Sequence, residues 1–287
     1  MPSLSTKIPD RTERFSDDNR YVRGLIQQLE TLRDGPAIVG ELIRAGGAAV
    51  PILADALLNG NPRSIYQPRC LLVEALAGLR AHDVLIEYLR RRKSIVDPEL
   101  EFAEDAVVNT AARELKSTMS AEAFSALLEI ARVRALPGVI EALGVYRQPD
   151  SIQYLIRGLE SDLAHAAAYD ALCLVGQPAE QALLQEAFHR EPPPPDFENC
   201  SSLHRRRACL RLLGELALSP EHRRQLLTLV RAEDPEIVML VCKILASSET
   251  STYRAMACQT LKSILPRLGW HLQDEARALL RELEPNR

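Results

Sequence analysis

The sequence predicts an all-α protein, a right-handed α-α superhelix of about seven helix pairs. Three observations predict it. Of its 287 residues, 45 are Leu and 35 are Ala, both strong apolar helix formers. Val and Ile number only 15 each and aromatics make up 5%, too few for the β-branched runs of a sandwich, barrel or parallel sheet. One local pattern recurs at nearly constant pitch. It is an apolar amphipathic stretch, a Gly, a short polar turn and a second amphipathic stretch.

The elements follow in order. Asp17 or Asp18 can start a capping helix whose stripe is Tyr21, Val22, Leu25, Ile26, Leu29 and Leu32. This sets residues 1–16 apart as a mobile leading segment and makes 17–287 one solenoid. The first pair is 37–46 then 50–57, and the second is 72–78 then 84–89. The third, 106–115 then 124–130, has no Gly between its helices. Its turn falls on Met119-Ser120, with Ser120 as N-cap. The fourth is 139–144 then 152–159, the fifth 168–176 then 183–188, and the sixth 209–214 then 226–230. The seventh is 237–246 then 253–265. A closing helix carries Trp270, Ala276, Leu279, Leu280 and Leu283 as one stripe, so Trp270 is expected in the core.

Glycine spacing supports the pitch. Gly46, Gly78, Gly144, Gly176 and Gly214 are separated by 32, 66, 32 and 38 residues. Each Gly is expected to end its first helix in a left-handed conformation. Pro51, Pro137, Pro149, Pro178, Pro220 and Pro235 fall where turns or first helical turns are expected. Each pair leaves an apolar stripe that only the next pair can cover, which is the logic of a solenoid.

The Ala-Leu-x-x-x-Gly turn followed by an amphipathic helix resembles the short bacterial HEAT repeats, including those named after the phycobilisome lyases. The resemblance covers about residues 37–265. It implies an armadillo-like helical architecture whose second helices line a concave face. The family spans scaffolds, adaptors, pigment lyases and a few enzymes, so it implies no single activity. The HEAT-like deoxyhypusine hydroxylases bind two irons through His-Glu pairs. Here the six His precede Asp83, Ala166, Arg190, Arg205, Arg223 and Leu272, so that ligand set is missing.

Composition and motifs exclude further classes. The formal charge is −4, without the basic excess of a dedicated nucleic-acid binder. There is no Walker, Rossmann, zincin or nucleophile-elbow motif. No catalytic, metal or cofactor-binding residue is assigned, and no cofactor is expected. The six Cys form no C-x-x-C pair, and Cys200 with His204 lacks the further ligands that zinc needs. Reduced thiols and no signal-peptide h-region point to a cytoplasmic protein. No apolar run approaches 18 residues, so no membrane partner is expected.

The expected role is a non-catalytic protein-interaction scaffold or adaptor. The alternatives are an accessory subunit of the phycobilisome-lyase type and, third, a nucleic-acid-binding protein. The candidate docking residues are Arg205, Arg206, Arg207 and Arg211, expected to open a first helix, with Arg223 and Arg224 at the next second helix. Arg207 and Arg211 should share one exposed face, open to an acidic protein partner. Glu215, Glu221 and Asp234 are the acids placed to offset this charge if it is only surface. Arg90 to Lys93 close another helix, where cations suit the dipole. The four prolines at 192–195 stiffen a connector and present Phe197 as an apolar tip.

Overall fold

The apolar periodicity becomes sixteen α-helices, with no strand among the described residues. In this computed structural model the described residues are 11–31, 33–92, 95–193 and 196–284, with side chains from residue 19 onward. Leu32, Lys93, Pro194 and Pro195 lie outside them.

After α1 (Arg11–Leu29) fourteen helices follow two by two in chain order, the fourth two, α8 and α9, falling in different units. They are α2 (Gly35–Arg44) with α3 (Val50–Leu58), α4 (Gln67–Gly78) with α5 (His82–Arg91), and α6 (Pro98–Leu115) with α7 (Ala121–Val133). Then come α8 (Pro137–Tyr146) with α9 (Ile152–Gly158), and α10 (His165–Val175) with α11 (Glu180–Phe188). The last are α12 (Cys200–Glu215) with α13 (Pro220–Leu226), and α14 (Pro235–Ala246) with α15 (Ser251–Ile264). The closing helix is α16 (Trp270–Leu283). No single helix among the described residues is long and apolar enough to cross a membrane.

The chain divides into two compact units, Met1–Tyr146 and Arg147–Arg287. In the first, α2, α4, α6 and α8 pack side by side in chain order. Helices α3, α5 and α7 form a second layer, and α1 covers α2, α3 and α4. In the second, α10, α12 and α14 form the row, and α16 rests on α14 and α15. This neighbour-on-neighbour packing is that of an α-solenoid. The core is aliphatic. Leu42, Leu53, Leu76, Leu115, Leu127 and Leu155 are fully buried, each contributing about 1.5–3 kcal/mol by leaving water.

The turns are built from the expected chemistry, differently distributed. Ser120 caps α7 by accepting from the Ala123 N–H at 3.1 Å, and Met119 before it is left-handed at φ 51°. Asp97, Asn199, Ser219 and Asp234 cap α6, α12, α13 and α14 in the same way. Pro137, Pro220 and Pro235 open helices, Pro51 is second in α3, and Pro149 and Pro178 sit in short 3-10 turns. Only Gly46 and Gly176 are left-handed, at φ 73° and 68°. Gly78, Gly144 and Gly214 remain helical, and the left-handed residues after the first two are Arg80 and Arg147. Gly78 serves packing instead. A Cβ there would stand 2.4 Å from Ile43 Cδ1, so the Gly lets α4 approach α2.

Two further expectations are corrected. Helix α1 already runs at Arg11, the first described residue, so neither Asp17 nor Asp18 starts it. Trp270 is 80% exposed. It is the first residue of α16, ahead of the stripe of Leu272, Ala276, Leu279, Leu280 and Leu283 that faces the fold, and its ring meets the His271 ring edge-on at 5.8 Å between centroids. Because Trp270 is the one Trp in the chain, fluorescence reads it directly. We expect the emission of a solvated indole, fully quenched by iodide in the native protein. A blue-shifted, protected emission would contradict this placement.

One ion pair between first helices sets a pH dependence. Arg113 on α6 donates to both carboxylate oxygens of Glu141 on α8, at 2.9 Å each. The hydrogen bond to Arg113 holds the Glu141 carboxyl below its ordinary value, against the opposing effect of burial. Stability from a depressed carboxyl is complete above its unfolded pKa and is lost as pH falls through the lower folded value. Arg113→Ala should therefore cost up to about 1 kcal/mol at neutral pH, the range of partly exposed pairs. Denaturant titrations of the variant and wild type should converge once the solution is more acidic than the folded value.

Candidate functional site

Helix α12 carries the residues that the sequence marks for docking. Asn199 starts it by accepting from the Ser202 N–H at 2.7 Å. A helix turns about 100° per residue, so Arg205, Arg206 and Arg207 leave it in three directions. They lie more than a turn inside the helix rather than at its opening.

Each direction ends on carboxylates. Arg205 pairs with Glu160, which follows α9, and with Glu186 of α11 at 3.1 Å. It also donates to the His189 carbonyl at 3.2 Å. Arg206 pairs with Glu198 at 2.6 Å and donates to the Ala187 carbonyl at 2.9 Å. Arg207 reaches the first turn of α14, meeting Asp234 at 2.5 Å and Glu236 at 2.9 Å. Arg211, one turn on, also pairs with Glu236. Asp234 does a second task there, since its Oδ1 caps α14 through the Ile237 N–H at 2.8 Å.

The expected exposed stripe is thus corrected. Arg205 and Arg206 are buried, Arg207 is half-buried, and only Arg211 is exposed. The physical reason is desolvation. A buried guanidinium must be paired, and the neighbouring elements supply the acids. Arg223 and Arg224 do not join them. Arg224 pairs with Glu221 at 2.7 Å on the surface of α13. Arg223 has no carboxylate at ion-pair distance among the described residues, and its nearest polar partner is Ser248 Oγ at 3.5 Å.

Of the three offsetting acids expected, Asp234 and Glu221 serve as foreseen. Glu215 instead accepts from the Tyr169 hydroxyl at 2.8 Å, with the Cys173 thiol at 3.7 Å. Burial and this carboxylate push both the phenol and the thiol up. Glu160, Glu186, Glu198 and Glu236 were not foreseen. A signal existed for Glu236 alone, because Asp234-Pro235-Glu236 repeats the helix start Asp97-Pro98-Glu99.

The connector behaves as the sequence suggests at its tip. Phe197 is 94% exposed. It borders a cleft of about 490 Å³ whose apolar lining includes Leu203, Leu229 and Ile237, with Arg190 and Arg231 at its rim. Cys200 and His204 gather no further ligands, and no group of three or more His, Cys, Asp or Glu among the described residues is placed to hold a metal. Cys209 and Cys242 are buried, and desolvation pushes both thiols up to about 12, which suits inert core residues. No protein-family model and no curated protein matches the chain.

These geometries separate structural arginines from surface ones. Arg206→Ala should lower the free energy of unfolding by about 1–3 kcal/mol, because it leaves the Ala187 carbonyl without its donor and Glu198 with only Ser202 Oγ at 2.7 Å and Arg190 at 3.9 Å. Arg224→Ala should change it by no more than about 0.5 kcal/mol. Equal, small effects in a urea titration would refute the structural assignment of Arg206.

Proposed function

We propose that the chain is a non-catalytic protein-interaction scaffold built from HEAT-like repeats. The fold supports the reading because helix pairs stacked in chain order offer extended faces with no need of an enclosed site. Six unpaired cysteines suit a reducing compartment, and we assign the protein to the cytoplasm.

The observation that carries the docking site is Phe197. A large aromatic side chain exposed beside a partly apolar cleft has the form of an interface anchor. Arg231 is exposed at the same cleft and joins no ion pair among the described residues, so an acidic partner segment would find a cation there. Arg205, Arg206 and Arg207 are reassigned from docking to internal pairing. The same pairing weakens the nucleic-acid reading, which relied on a stripe running from Arg205 to Arg211. Its phosphate contacts would have to displace Glu160, Glu198, Asp234 and Glu236.

Affinity capture from the native cell tests this reading. The wild-type chain should retain a stoichiometric protein partner, and Phe197→Ser or Arg231→Glu should release it without lowering the melting temperature. Retention unaffected by both changes would remove this cleft from the docking surface.

A further inference from the structure

Helix α6 is longer than its neighbours in the first-helix row. It has 18 residues, against 12 in α4 and 10 in α8. One close approach fixes its register against α8, since a Cβ on Gly138 would stand 2.4 Å from the Asn109 carbonyl oxygen. The Gly138 N–H, in the first turn of α8, donates to Asn109 Oδ1 of α6 at 2.7 Å. The N-terminal end of α6 therefore overhangs the start of α8 by about ten residues, or ~15 Å at 1.5 Å per residue.

The overhang is held along its inner face, where Arg69 of α4 pairs with Glu104 at 3.1 Å. Tyr88 near the end of α5 donates to Glu104 at 2.5 Å, and Arg92 pairs with Asp105. Arg134, just after α7, pairs with Glu101 at 2.6 Å and Asp105 at 2.9 Å. Around this charge cluster stand three apolar side chains without cover. Val96 is 98% exposed, Phe102 64% and Val133 74%. At the other edge of the same unit, the turns 45–49, 79–81 and 116–120 expose one large apolar residue, Met119. An apolar group on a projecting element is the form of a contact surface rather than of scattered exposure.

Charge identifies what covers it. The overhang begins with Asp97 and Glu99, both exposed. The end of α5, on the other side of Val96 in the chain, carries Arg90 and Arg91, also exposed. Arg90 joins no ion pair among the described residues, and Arg91 holds only Glu87 of its own helix at 2.5 Å. A patch with acid on one flank and base on the other is its own complement across a two-fold axis.

We propose that this edge of the first unit is an isologous dimer interface, in which the α6 overhang of one copy meets the α5 end of a second copy. Val96, Phe102 and Val133 form its apolar centre. Glu99 of each copy faces Arg90 of the other.

Sedimentation velocity on the full chain, over micromolar to submillimolar concentrations, tests this. The wild type should sediment as a dimer that dissociates on dilution. Phe102→Ser with Val133→Ser should give a monomer whose melting temperature at low concentration is that of wild-type monomer, since neither residue is in the core. Glu99→Arg and Arg90→Glu should each weaken the dimer by about tenfold, because the two-fold counts each change twice. Mixing those two variants should restore it, because their opposite charges then face each other at both contacts. A wild-type monomer throughout would overturn the proposal and leave this edge to a different protein or to solvent. A dimer indifferent to the Phe102 and Val133 changes, or a mixture that fails to recover, would overturn it equally.

Discussion

Within each unit the stacked helices have apolar faces that only their neighbours can cover, and the rest of the structure follows from that constraint. Leu76 of α4 and Leu115 of α6 are fully buried because α2, α4, α6 and α8 lie side by side. No pair is a core in itself. Stability therefore resides at the contacts between pairs, and any polar group placed there must be satisfied across the same contact.

Polar groups are placed there repeatedly. In the first unit, Arg69 of α4 meets Glu104 of α6 at 3.1 Å, and both are buried. Tyr88 donates to the same carboxylate, and burial beside Glu104 pushes its phenol well up. In the second unit, Glu180 of α11 accepts from the Ser219 N–H at 3.1 Å and lies 2.7 Å from His222 Nδ1. Both sets tie a pair to the one that follows. Replacing them with apolar side chains need not weaken a fold, so their more evident contribution is to fix which faces meet.

The sequence made the helices legible because Leu and Ala recur with the 3.6-residue period of an amphipathic helix. Ser120 was legible because a pair without Gly still needs its helix started. The role of Gly78 was not, because a small residue at a helix end serves a left-handed cap or a close approach equally well, and Ile43 decides between them. Trp270 misled because a stripe read from spacing does not say where the neighbouring helix stops. The α12 arginines misled for a related reason. A run of like charge usually lies on a solvated face, and the acids that bury this run are up to 45 residues away in the chain, as Glu160 is from Arg205. Phe197 was legible because a proline-rich connector has no helix in which to bury it.

Three adjacent arginines on one helix, each committed to a different neighbour, bear on how the chain finds its order. The Leu and Ala pattern is nearly the same in every pair, so by apolar contact alone one pair could stack on a wrong one. Repeat chains are prone to such misassembly. The ionic contacts break that degeneracy. Arg205 looks back to the preceding pair and Arg207 looks forward to the following one, so the sixth pair placed elsewhere would carry at least one buried charge unmatched. The apolar repeat makes stacking possible, and the aperiodic charges give each pair an address.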